Sequence, residues 1–275
     1  MSIKTILVHL ADHDDQVEKR LEVAYRMAQI FGAHITAIFI PTPQVRRGIG
    51  RGASSSYVKE LADAALAKGN VLQELFERKC SEANLSHRFV VESGDDYDIL
   101  ATHARAADLL VVSQPQGESF EDKFRHMLPE ELVIMSGVPV MMIPREWEVS
   151  ESRRHVMIAW KSNRESVRAV RDSLDFLKQA YKVTIVTVGS AEETGRLPAE
   201  QLQTYLARHD VKADIRRDFE DRADVGHVLR SQAKDMGADM IVMGAFGKKK
   251  WFKRVFGTTT SSMTRNAEIP VVFSH

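Results

Sequence analysis

The sequence predicts two tandem doubly wound α/β domains, over residues 1–145 and 146–275, each a five-stranded parallel sheet flanked by helices. Three observations carry this. Short apolar segments rich in β-branched residues alternate with stretches of helical period, the pattern of a parallel sheet built from β-α-β units. Those segments are apolar throughout rather than alternately polar, as expected of strands buried on both faces. The whole pattern occurs twice, which makes the halves an internal repeat related by a pseudo-two-fold.

The repeat can be followed element by element. Lys4–Leu10 has its counterpart in Arg154–Trp160, and each is followed by a polar turn and a helical stretch, about Asp15–Phe31 and Arg164–Ala180. Then come His34–Ile40 and Lys182–Val188, two further strands bounded by Gly or Pro. Late in each half Ala107–Val112 matches Ala238–Met243, and Gly137–Met142 matches Glu268–Phe273, with the same offset for both pairs. Arg145–Arg154 is charged and aperiodic, which suits a linker. Pro43–Ser56, with Arg46, Arg47 and Arg51, reads as an extra surface loop.

Composition excludes several classes of function. The 275 residues are 44% hydrophobic and 28% charged, as in a soluble globular protein. Lys plus Arg equals Asp plus Glu at 38 each, so no global field favours nucleic acid or an anionic membrane. The longest apolar runs fall far short of the ~20 residues of a membrane-spanning helix, and the N-terminus lacks a secretory pattern. A cytoplasmic location is the expectation. Cys80 is the single cysteine, so an internal disulfide is impossible; it falls in a helical stretch and reads as a buried small apolar residue.

Chemistry concentrates in the second half. Ligands of open α/β sheets settle outside the carboxyl ends of the strands. There Met240–Met243 runs into Gly244-Ala245-Phe246-Gly247, and nine residues later comes Gly257-Thr258-Thr259-Thr260, followed by a short helix to about Asn266. Gly244 and Gly247 lack a Cβ and allow close approach of backbone to a ligand. Gly257 can present consecutive N–H groups as a concave nest, and Thr258 and Thr259 can cap a helix whose N-terminus attracts phosphate. The pattern is neither a P-loop nor the dinucleotide fingerprint.

These residues are where a resemblance arises. Gly244-x2-Gly247-x9-Gly257-Thr258 resembles the ATP-binding signature of the universal stress protein family, and the likeness of plan covers both halves. It implies a Rossmann-like domain of the HUP type in each half and an adenine nucleotide as ligand: ATP, ADP or AMP, with Mg2+ as a companion held through phosphate oxygens. It also implies pairing of the last strands, Pro139–Ile143 with Pro270–Ser274, and allows a homodimer. Carried over by position, the nucleotide-binding residues are Ala159, Lys161, Ser162, Val188, Met243, Gly244, Gly247, Gly257, Thr258, Thr259 and Thr260, with the backbone of Val188 at the adenine. Lys161 stands where such sites usually have an Asp. A cation cannot accept a hydrogen bond from a ribose hydroxyl, but it can reach a phosphate. In the first half the matching positions hold Ser113, Gln116, His126 and Met127, so that half is expected not to bind nucleotide, although Asp12 falls near the usual acid.

Other clusters read more plainly. Lys248, Lys249, Lys250, Lys253 and Arg254, interleaved with Trp251 and Phe252, form a solvated loop, with a lid over phosphates or a contact to single-stranded nucleic acid as alternatives. Asp218, Glu220, Asp221 and Asp224 read as a helix entry. No metal-ligand spacing and no catalytic constellation stand out. The expected function is a nucleotide-responsive sensor or regulator in a stress response. The alternatives are a nucleotide-free structural or interaction protein with a decayed second site, and a slow ATP hydrolase.

Overall fold

The computed structural model describes residues 2–11, 16–41, 55–115, 129–149, 154–189, 198–218, 224–245 and 258–275. The Arg46–Arg51 and Lys248–Arg254 loops lie outside these residues, as do Gly247, Gly257, Asp12, Gln116, His126 and Met127. The chain forms two compact units, Ser2–Val138 and Pro139–His275.

In the N-terminal unit the elements are β1 (Thr5–Leu10), α1 (Val17–Phe31), β2 (His34–Phe39), α2 (Ser55–Glu82), β3 (His87–Val91), α3 (Asp96–Ala104), β4 (Leu109–Ser113) and α4 (Pro129–Ser136). The strand order is β3-β2-β1-β4, all parallel, with Ile6 opposite Ile35 on one side and Leu109 on the other. Central strands β1 and β4 are almost wholly buried, which explains their largely apolar sequences. α1 stops at Gly32, whose left-handed φ of 60° lets its N–H reach Ala28 O. The thiol of Cys80, on α2, is fully buried.

In the C-terminal unit β5 (Val140–Ile143) precedes β6 (His155–Ala159), α5 (Arg164–Asp172), α6 (Leu174–Gln179), β7 (Lys182–Val188), α7 (Ala199–Ala207), β8 (Ala213–Asp218), α8 (Val225–Asp235), β9 (Met240–Gly244), α9 (Thr258–Asn266) and β10 (Val271–Ser274). Strands β10-β9-β6-β7-β8 form a five-stranded parallel sheet, and β5 adds to it antiparallel beside β10, with Val272 opposite Met141. The inner strands β6, β9 and β10 are buried nearly throughout, while the outer strand β8 alternates between half-buried and exposed.

One expected helix divides. The stretch Arg164–Ala180 is two helices that meet at Ser173, a fully buried residue with φ −100° and ψ 5° whose N–H is shared between Ala169 O and Val170 O. Helical period continues across the break because both pieces bury the same apolar side, through Ala169 and Val170 in α5 and Phe176 and Leu177 in α6.

Candidate functional site

The carboxyl ends of β7, β6 and β9 lie side by side in the C-terminal unit. Ala159, the last residue of β6, is in register with Val186 on one side and Met243 on the other. Beyond it the strand direction continues for one residue, because Trp160 N donates to Val186 O at 2.8 Å. The chain then turns through exposed Lys161 and half-buried Ser162, and Lys161 O accepts from Asn163 N at 2.7 Å. Asn163 caps α5: its side chain accepts from Ser166 N at 2.9 Å, the usual way to satisfy an orphan amide of a first turn. Val188, half-buried, ends β7 opposite Asp218 of β8, and Gly189 N donates to Asp218 O at 2.8 Å.

Met243 is buried, and Gly244 closes β9 opposite Ser274 of β10. Gly244 has a packing reason of its own. A Cβ there would stand 2.5 Å from both the carbonyl carbon of Glu165 and the amide nitrogen of Ser166, so the bare position lets the first turn of α5 rest on the strand end. The sequence reads that missing side chain as room for a sharp turn and close approach to a ligand; packing against backbone of the same unit is a further reason for it.

Thr258, Thr259 and Thr260 open α9, so Thr258 and Thr259 belong to its first turn rather than preceding it. Thr259 is half-buried and Thr260 buried. The helix is fixed from α8. Arg230 Nη1 donates to Ser262 Oγ at 2.7 Å and to Ser262 O at 3.2 Å, and Gly226 leaves room for Ser262, whose Cβ would stand 2.6 Å from a Cβ at that glycine. Asp224 caps α8 by accepting from His227 N, and Asp218 accepts from Gln232 Nε2 at 3.1 Å. Two members of the acidic run therefore serve helix entry and strand-to-helix contact. Among the described residues no group of three or more His, Cys, Asp and Glu side chains could hold a metal ion.

The structure thus brings Ala159, Lys161, Ser162, Met243, Gly244 and Val188 to one end of one sheet. Sequence reasoning missed Trp160, Asn163, Gly226 and Arg230. Asn163 was legible as an Asn ahead of a helical period; the others depend on contacts between distant segments. In the N-terminal unit Ser113, the counterpart of Gly244, accepts from Nη1 of Arg20, a fully buried arginine in the first turns of α1. Where the second unit packs bare backbone, the first packs a guanidinium against a hydroxyl.

Tandem α/β units, each with parallel strands alternating with helices, define the fold class of the chain. Residues 152–275 match the model of the universal stress protein family. Over nearly the full length the fold is that of a universal stress protein from Archaeoglobus fulgidus, at 17% identity and TM-score 0.77, covering 98% of this chain and 95% of the other. A putative universal stress protein from Pseudomonas aeruginosa aligns at 15% identity and TM-score 0.62, covering 99% and 93%. A family member from Arabidopsis thaliana, solved with AMP bound, aligns at 19% identity and TM-score 0.36, covering 52% of this chain and 92% of its own. Comparison with curated proteins gives no significant match. Among the described residues no helix is long and apolar enough to cross a membrane.

Proposed function

We propose that the C-terminal unit binds an adenine nucleotide across the carboxyl ends of β7, β6 and β9, and that the chain acts as a nucleotide-responsive regulator in a stress response rather than as a catalyst. The observation that carries this reading is the coincidence of the Gly244-x2-Gly247-x9-Gly257-Thr258 pattern with the strand end at which an open α/β sheet accepts ligands. In this reading the base lies over Val188, the sugar over the end of β6, and the phosphates between β9 and the start of α9. ATP, ADP and AMP all satisfy it. The amide groups opening α9, with the hydroxyls of Thr258, Thr259 and Thr260, would hold phosphate oxygens. Mg2+, where present, would ride on those oxygens. Bound nucleotide, held at the start of α9, would alter a surface that a partner reads.

The second reading, a nucleotide-free interaction protein, draws on one observation. Gly244 is required by the packing of α5, so its presence does not by itself argue for a ligand. Purified protein is denatured and the released nucleotide is counted. A stoichiometry near one supports binding, and near zero supports the second reading. Gly257→Val should abolish binding while leaving ligand-free thermal stability nearly unchanged, because a branched side chain blocks close approach of phosphate. Product formation from ATP that persists in Gly257→Val would count against any hydrolysis at this site.

A further inference from the structure

The end of β6 lies between the ends of β7 and β9, so a nucleotide with its base over Val188 and its 5′-phosphates beyond Gly244 must carry its sugar over Trp160 and Lys161. The two residues that follow Ala159, Trp160 and Lys161, carry side chains that only donate. Trp160 is 4% exposed; its backbone N–H is used by Val186 O, whereas its indole Nε1–H has no hydrogen-bond partner. A buried donor left unmade is costly, and a ligand acceptor would relieve it. Lys161 follows, exposed, with an ammonium group that can only donate. The side-chain oxygen of Asn163 is already taken by Ser166 N, and the carboxylate of Glu165 faces the guanidinium of Arg164 at 3.5 Å.

A free ribose diol is held well by a carboxylate, which accepts from both hydroxyls; in dinucleotide-binding folds a cation at the sugar accommodates a phosphorylated hydroxyl instead. We propose that this site selects an adenine nucleotide phosphorylated on the ribose at the 2′ or 3′ position as well as at the 5′ position, with Trp160 Nε1–H and Lys161 Nζ as the specificity-determining donors. The inference rests on the nucleotide reading above and deepens it by naming the ligand class.

Calorimetric titration of the intact, nucleotide-stripped chain with AMP, adenosine 2′,5′-bisphosphate and adenosine 3′,5′-bisphosphate tests it. One of the two bisphosphates should bind roughly tenfold or more tightly than AMP, the scale of an added charge-assisted contact, and the winner identifies the hydroxyl. Lys161→Met, an exposed position that the fold does not need, should shrink that ratio towards one. Trp160→Phe removes the indole N–H along with part of a buried ring, so ligand-free stability should fall somewhat; the ratio is the readout, which should narrow, and an unchanged ratio removes Trp160 from the proposal. AMP binding as tightly as both bisphosphates, or a preference that survives Lys161→Met, overturns this inference and leaves the nucleotide reading standing. Failure of all three to bind removes both.

Discussion

Gly244 touches Glu165 backbone to backbone: a Cβ on the glycine would stand 2.5 Å from the Glu165 carbonyl carbon. A methyl group at Gly244 must therefore lift the first turn of α5 from the sheet and strain its Asn163 cap. Gly244→Ala should destabilise the ligand-free protein by about 1–3 kcal/mol, the cost of overpacking a tight contact. Urea unfolding of the purified variant measures this. An unchanged midpoint would show that the turn yields freely and that the glycine is not a packing requirement.

The contact between α8 and α9 makes a different kind of prediction. A Cβ at Gly226 would meet Ser262 Cβ at 2.6 Å and Oγ at 2.7 Å, so Gly226→Ala should destabilise although alanine is the better helix former. Removing the opposing side chain with Ser262→Gly opens that space while giving up the bond from Arg230 Nη1 to Ser262 Oγ. In that background Gly226→Ala should be neutral or stabilising. A double-mutant cycle should return a coupling of about 1 kcal/mol or more in favour of the pair. Additive effects would mean that α9 is seated by other contacts.

These two glycines show where reading the chain succeeds and where it stops. Strands such as Met240–Gly244 were legible because burial on both faces forces an unbroken apolar run, a property of the segment itself. The ligand end of the sheet followed from strand direction alone. The reason for Gly244 was not legible, because the atoms that exclude its side chain belong to residues 165 and 166, far away in sequence. The break at Ser173 was hidden for a similar reason: α5 and α6 share one apolar side, so the period does not falter. Arg20 reads as an ordinary solvated helix residue until β4 brings Ser113 against it. Only the three-dimensional surroundings reveal that the indole N–H of Trp160 lacks a partner.

Cys80 gives a simple probe of opening in the N-terminal unit. It is fully buried on α2, and burial pushes its thiol up to about 12, so both access and thiolate are suppressed. A disulfide reagent such as DTNB at neutral pH should label the native protein several orders of magnitude more slowly than the unfolded chain. The rate should track urea concentration as α2 or the whole unit opens. Immediate stoichiometric labelling of native protein would show that α2 does not cover the thiol.

His155 sets a limit on acid stability. At the start of β6 its ring is 1% exposed as a residue, with Nδ1 3.1 Å from Met236 O and Nε2 2.8 Å from Thr184 Oγ1. A carbonyl can only accept, so Nδ1 carries the proton and Nε2 accepts from the threonine hydroxyl; a second proton would break the Thr184 bond in that orientation. Burial holds the imidazole below its ordinary range, with Lys182 acting the same way, against the Met236 carbonyl, Asp239 and Asp214, which pull upward. The unfolded chain protonates near ~6.5 while the folded one resists, so the contribution is fully present above that pH and is lost as pH falls towards the depressed folded value. Within that window stability should fall by up to about 1.4 kcal/mol per pH unit on account of this residue. His155→Gln cannot titrate, so its unfolding free energy, measured in urea from about pH 8 down to about pH 5, should show a flatter slope than the wild type below the unfolded pKa and a parallel one above it. Equal slopes throughout would mean that water reaches the ring and that the Thr184 bond does not fix its protonation.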